Sequence, residues 1–198
     1  MTFKKVDLWS DKIQDTTARS VKQLFQYTLR DKRKKVDPAE YTIENIKNEE
    51  VGRLPGSING QQFIIQNCES SKIYLFDHIN TVTIDDCTDC SIYIGPVAGS
   101  LFIRNCKNCT LVAASGQFRT RDCQKINTFL YCQTKPIIES SIKMKFGCFQ
   151  SNYPQLNVIS PFNYLIPVDH FKKSNLNIFN NNWSEIHDFT PVEGEKNW

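Results

Sequence analysis

The sequence predicts an all-β fold, a right-handed parallel β-helix with an N-terminal α-helical extension and a C-terminal cap. The first observation behind this is an internal repeat. Cys68, Cys87, Cys106 and Cys123 stand 19, 19 and 17 residues apart, and each closes a matching run: FIIQNC, VTIDDC, LFIRNC and FRTRDC. Self-similarity at a short fixed period marks a solenoid. The second is the pattern inside each unit. Five positions before the cysteine stand Phe63, Val82, Leu101 and Phe118, and three before it Ile65, Ile84, Ile103 and Thr120. Residues two apart share one face of a strand, so each unit holds a strand with one apolar and one mixed side. The third is a further apolar run in the units, KIYLF, SIYIG and TLVAA, which supplies a second strand per coil. Stacking like strands in register lets each coil cover the apolar face of the next.

The rest of the chain fits around this core. With 198 residues, 40% hydrophobic and 23% charged, the composition is that of a folded domain with an appendage. The division falls at residues 1–36 and 37–198. In the first part Val21, Leu24, Phe25 and Leu29 recur at helical spacing with Tyr27 beside them, the pattern of an amphipathic helix. Pro38 and the LPG at residues 54–56 bound an irregular connection. After residue 142 the pattern becomes mixed and ends in NLNIFNNNWSEIHDFTPVEGEKNW. There, NIFNNNW reads as a turn or cap in which Ile178, Phe179 and Trp183 are buried. A cap is needed because the last coil of a solenoid exposes an apolar face and open backbone groups.

Two Cys-x-x-Cys pairs, Cys87/Cys90 and Cys106/Cys109, have the spacing of a structural zinc site. The repeat argues for another role. The positions that match the second members hold Ser71 after Cys68 and Ile126 after Cys123. A small, weakly polar thiol stacks on its equivalents at a coil corner with little desolvation cost, so we expect buried, reduced cysteines and no metal or cofactor. No apolar run approaches the roughly eighteen residues of a membrane span, and the start of the chain lacks a secretory pattern, which predicts a cytoplasmic protein. The formal charge of +3 is modest and concentrated in RDKRKK at residues 30–35. Arg30, Lys32, Arg33, Lys34 and Lys35 supply at most weak attraction to an anionic membrane, and the composition is not that of a nucleic-acid binder.

The outward face of the coils displays side chains at fixed spacing. Arg119 and Arg121 share a strand and a side, and Arg104 falls one coil below Arg121 in its column. Three guanidinium groups on one patch repel one another, so they point to an anionic ligand or an acidic partner surface. Asp85 continues the same column and can pair with Arg104, which makes a surface ion ladder the alternative. Asp85 and Asp86 are neighbours on one strand and face opposite ways, so they are not the paired acids of a carbohydrate enzyme. His78, His170 and His187 lack a nucleophile partner and read as structural.

The runs VGRLPGSING, FIIQNC, VTIDDCTDC, LFIRNCKNC, GQFRTRDC and PIIESS, flanked by KVDPAEY, KFGCF and NIFNNNWSEIHDFTP, resemble the cofactor C-like domain family. The similarity is strongest to its retinal branch and covers most of the chain. It implies a parallel β-helix that activates an Arf-like small GTPase in its GTP-bound state, or acts on tubulin, and a location that includes the ciliary base. The implied catalytic group is an arginine finger supplied in trans, Arg119 of Gln117-Phe118-Arg119, with Gln117 beside it. The domain has no reaction of its own in this reading. Glu139 and Phe189 fall at partner-contacting positions with Arg121 as their neighbour, and the column of Arg121 adds Arg104. Three departures stand out. Gly116 replaces a family Gln, the Met-Gly-Cys of the family's lipid anchor is missing, and no kinase-like domain follows Trp198. Gly116 keeps a second reading open, a non-activating adaptor that binds a GTP-loaded GTPase or a tubulin-related client.

Overall fold

The computed structural model describes residues 37–149, 168–191 and 196–198. The expected N-terminal helix and the basic run at 30–35 lie outside the described residues. A 3₁₀ turn, Pro38–Tyr41, leads into β1 (Thr42–Glu44), β2 (Glu50–Arg53), β3 (Phe63–Gln66), β4 (Lys72–Leu75) and β5 (Val82–Asp85). The long strands β6 (Ser91–Arg104) and β7 (Thr110–Arg121) follow, then β8 (Asn127–Cys132), β9 (Ile137–Glu139) and β10 (Lys145–Cys148). A short helix α1 (Val168–Lys173) and β11 (His187–Asp188) complete the elements.

Every pairing between these strands is parallel. They form two walls of a coil. The first stacks β1, β3, β5, the ends of β6 and β7, β9 and β11; the second stacks β2, β4, the starts of β6 and β7, β8 and β10. Pairings of Ile79 with Val97, Val97 with Ser115 and Ser115 with Cys132 make a narrow third side. The predicted parallel β-helix is therefore the fold, and it extends beyond the repeats read from the cysteines.

The predicted apolar column runs through the interior. Phe63, Val82, Leu101 and Phe118 are buried, with Ile65, Ile84 and Ile103 one step along. The polar exception, Thr120, donates to Ser141 Oγ at 3.2 Å, so its burial leaves no open hydroxyl.

The cysteines occupy the corner that follows the first wall. Cys68, Cys87, Cys106 and Cys123 each direct Sγ to the carbonyl two residues back, at 3.2, 3.4, 3.0 and 3.3 Å. Ser141 repeats the motif on Glu139 at 2.8 Å. A second column, Ser71, Cys90, Cys109, Ile126 and Met144, stands beside it. The two Cys-x-x-Cys pairs are thus successive rungs. What turns the chain here is backbone handedness. Asn67, Asp86, Asn105, Asp122 and Ser140 precede this column with φ between 45° and 54°, and Ser70, Asp89, Asn108, Lys125 and Lys143 turn again at 49–55°. Asn and Asp tolerate the left-handed region better than most residues, which is why they fill most of these places. Asp86 is accordingly a corner residue and not a strand neighbour of Asp85.

The outer sides of the two walls differ. On the second wall Tyr74, Phe76, Tyr93 and Val112 are buried on the outside as well, packed with Phe129, Phe149 and Phe171. Phe171 belongs to α1, and Ser174 just after it donates to the Pro96 carbonyl at 2.9 Å. Beside the helix lies Asp77, only 1% exposed, whose Oδ2 accepts the N–H groups of Gly56, Ile58 and Asn59 at 2.9, 2.8 and 2.7 Å. Burial pushes this carboxyl up, but the hydrogen bonds outweigh burial and hold it below the usual carboxylate range. His170 of α1 is pushed down by burial, against the attraction of Asp77.

The C-terminal segment caps the last coils, as expected. The Asn182 N–H donates to the Cys132 carbonyl at 2.8 Å, Met144 N–H to the Asn197 carbonyl at 2.8 Å, and β11 extends the first wall beyond β9. Trp183 packs on the core. Ile178 and Phe179, however, are 61% and 90% exposed, contrary to the expected burial. Asparagine side chains close this turn: Asn182 and Asn180 donate to the Gln133 carbonyl at 2.7 and 3.3 Å, and Asn181 Oδ1 accepts the Cys132 N–H at 3.0 Å. The turn is held by polar bonds, so the apolar pair at its tip is left outside.

Candidate functional site

Among the described residues the second wall is covered, and the outer face that shows its side chains is that of the first wall. On β7, Gln117, Arg119 and Arg121 are exposed while Phe118 and Thr120 are buried, so the alternation of the strand selects which side chains are shown. The backbone under them is fixed on both sides. Arg119 pairs with Phe102 on one flank and Ile137 on the other, and Arg121 with Arg104 and Glu139.

The outward column through Arg121 reads Asp85, Arg104, Arg121, Glu139, and Phe189 extends it, with its N–H bonded to the Ile138 carbonyl at 2.9 Å. Arg104 is held by the Asp85 carboxylate and lies 5.4 Å from the Phe102 ring centroid. Arg121 Nε reaches Asp122 Oδ2 at 3.3 Å. The ion ladder considered from the sequence therefore accounts for Arg104, and a local pair occupies Arg121. Arg119 is different: among the described residues its guanidinium has neither an ion pair nor a hydrogen bond. It stands between two shallow grooves. Gln117, Thr134, Lys135, Ile137 and His187 line one with it, and Phe102, Thr120, Ile137, Glu139, Phe189 and Thr190 line the other.

Gln117 shares the first groove, and its Oε1 accepts the Ser100 hydroxyl at 3.1 Å from one coil below. Gly116 is buried. A Cβ added there would lie 2.6 Å from the Ala98 carbonyl oxygen, so position 116 faces the backbone of the neighbouring coil and not Arg119. The six residues singled out from the sequence, Arg104, Gln117, Arg119, Arg121, Glu139 and Phe189, thus share one outer face. Sequence reasoning missed Phe102, Lys135 and His187. Lys135 pairs with Glu185 at 3.1 Å, and the His187 ring stands edge-on to Phe189 with centroids 4.6 Å apart. Phe102 was legible from its place in the outward column; the pairing of His187–Asp188 beside β9 carried no repeat signal.

The profile described as tubulin binding cofactor C matches residues 60–189, well over half of the chain. The chain belongs to the tubulin binding cofactor C family. This cofactor C domain is 58% identical over 168 residues to Protein XRP2 of Danio rerio, covering 85% of the chain and 42% of that protein. Its identity to Protein XRP2 of Homo sapiens is 56% over 168 residues, covering 85% of the chain and 45% of the relative. Tubulin-specific chaperone C of Homo sapiens is more distant, 21% identical over 147 residues, 74% of the chain and 39% of the relative. The chain thus spans less than half the length of these curated relatives. Among solved structures, Tubulin Binding Cofactor C from Leishmania major matches with a TM-score of 0.50 at 23% identity, over 74% of this chain and 83% of that one, a likeness of fold.

Proposed function

We propose that this cofactor C domain activates an Arf-like small GTPase by inserting Arg119 as an arginine finger. The observation that carries the reading is the Arg119 guanidinium, unpaired among the described residues, exposed on a strand hydrogen-bonded on both flanks and set between two grooves. A guanidinium without a partner of its own retains its donors for an incoming anion. In phosphoryl transfer, charge spreads over the transferred phosphate and the leaving oxygen; a guanidinium delivered in trans into a water-excluded contact raises the rate by roughly 10³ to 10⁵. Phe102, Ile137 and Phe189 around the finger supply the apolar surface that excludes water on docking. Gln117, steadied by Ser100, lies beside the finger, while Arg121, Glu139 and Arg104 form a charged rim that orients the partner. Arginine suits the task better than lysine because its planar fork bonds two oxygens at once.

The adaptor reading rested on Gly116. Since a side chain at 116 points at the Ala98 carbonyl, its absence does not strip Arg119 of a neighbour. A tubulin partner is favoured by the names of two distant relatives, Tubulin-folding cofactor C and Tubulin-specific chaperone C. Single-turnover GTP hydrolysis separates these readings. Stimulation of an Arf-like GTPase supports the proposal; stimulation only of tubulin assigns the same chemistry to the other partner; binding to a GTP-locked GTPase at an unchanged hydrolysis rate returns the domain to an adaptor.

A further inference from the structure

Three histidines read as structural in the sequence, yet two of them meet one carboxylate away from the arginine face. Asp77, His78 and His170 each bring a ligand atom within 4.8 Å of the others. Asp77 Oδ1 is 3.0 Å from His78 Nδ1 and 4.0 Å from His170 Nε2, and the two imidazole centroids are 5.8 Å apart. Their side chains are 1%, 16% and 8% exposed in that order, so the cluster is enclosed with one edge open at His78.

His170 is the unexplained member. It is 6% exposed and its Nδ1 has no hydrogen-bond partner among the described residues, while Nε2 points at Asp77 across a gap too long for a hydrogen bond. An ion set between Asp77 Oδ1 and His170 Nε2 closes that gap and engages Nε2. Ligand atoms bound at about 2.0–2.2 Å from a tetrahedral Zn²⁺ lie some 3.3–3.6 Å from one another, a spacing that the observed 3.0 and 4.0 Å bracket.

We propose that Asp77, His78 and His170 form a binding site for a divalent transition metal, with Zn²⁺ the best fit, that pins α1 to the coil. Two imidazoles and one carboxylate are a borderline donor set, suited to Zn²⁺ or its first-row neighbours and poor for Ca²⁺ or Mg²⁺, which take oxygen ligands. The surroundings hold the ligands in place. Three backbone N–H groups fix Asp77 Oδ2, and the His78 N–H, donating to Oδ1 at 2.8 Å, holds that oxygen beside the histidines. Gly60 N–H donates to the His78 carbonyl at 2.9 Å, and a Cβ at Gly60 would come within 3.2 Å of His78 Nε2, so a glycine there makes room for the ring. Three protein ligands leave a fourth position for water. The bound ion joins residues from two segments, because Asp77 and His78 follow β4 and His170 lies on α1.

The test uses the full chain, freed of any histidine tag and stripped with chelator, then titrated with Zn²⁺ and with Co²⁺. The expected result is one bound equivalent and a raised thermal midpoint. His170→Ala and His78→Ala should each weaken binding by more than roughly tenfold and abolish that rise. Bound Co²⁺ should give visible ligand-field bands without a thiolate-to-metal charge-transfer band. Absence of binding at micromolar Zn²⁺, unchanged affinity in both histidine variants, or a thiolate band placing the metal on the cysteines would each overturn the proposal. The Co²⁺ spectrum is read on the unsubstituted chain, so it decides the question even where a variant fails to fold.

Discussion

Gly116→Ala is expected to destabilise the domain by about 2 kcal/mol, within the 1–3 kcal/mol typical of one extra carbon forced into a full site. The added Cβ meets the Ala98 carbonyl oxygen at 2.6 Å and that of Gly99 at 3.1 Å. Neither obstacle can swing away as a side chain can. The Ala98 and Gly99 N–H groups are bonded to the Ile79 and Asn80 carbonyls, each at 2.8 Å, so moving this backbone strains a second coil. The Gly116 carbonyl is engaged too, accepting from Thr134 N–H at 3.1 Å and Thr134 Oγ1 at 3.2 Å. For a domain of this size about 2–4 °C of Tm accompanies each kcal/mol, so calorimetric or circular-dichroism melts should show a fall of roughly 4–8 °C. Gln117→Ala, one residue away but exposed, should stay within a degree or two. A Gly116→Ala midpoint equal to that of the parent would refute the reasoning. It would mean that the coil has room at 116, and that a glutamine there is free to turn toward Arg119.

Further outcomes follow from the same geometry. Seven of the eight cysteines are buried, and only Cys148 is partly accessible; a thiol reagent should therefore modify about one thiol quickly in the native protein and all of them in denaturant, whereas rapid reaction at the paired cysteines would contradict their place as inner rungs. Asp77→Ala removes the acceptor of four backbone N–H groups and should cost about 2–4 kcal/mol in urea unfolding, while a loss below 1 kcal/mol would show that water replaces the carboxylate there. Glu139→Ala and Phe189→Ala should leave the thermal midpoint within a degree, because both side chains are exposed. In calorimetric titration with the GTP-loaded partner, each should lose about 1–2 kcal/mol of affinity, roughly five- to thirtyfold in Kd; unchanged affinity in both would move the contact off this face.

Much of the fold was legible because a solenoid repeats its own solution. Matching Phe63 to Val82, Leu101 and Phe118 gave the register that the strands adopt, and the cysteine columns gave the corner. The outer coils were less visible: β1 and β2 pair in register with the repeats but lack the cysteine that marks the others. The cover over the second wall was hidden for another reason. Strands such as SIYIG are apolar on both sides, which shows burial without naming what covers them, and here α1 does so through Phe171. Phe179 was misread because asparagine hydrogen bonds, and not apolar packing, close its turn. On the outer face, alternation along β7 and stacking between coils put Arg119 and Arg121 on one side and Arg104 beside Arg121, the register that the strands adopt. Which of the three stays unpaired among the described residues is a matter of side-chain reach: Arg104 finds Asp85, Arg121 finds Asp122, and no periodicity reports that.

The most direct test is single-turnover hydrolysis of GTP by an Arf-like GTPase with the domain in excess, comparing the unsubstituted chain with Arg119→Ala. The Arg119 side chain makes no hydrogen bond or ion pair with the described residues, so the variant should melt with the parent and still bind the GTP-loaded partner. Its stimulation of hydrolysis should fall by roughly 10³-fold or more, to the intrinsic rate of the GTPase. An Arg119→Ala domain that folds, binds and accelerates hydrolysis as well as the parent would contradict the assignment of the finger.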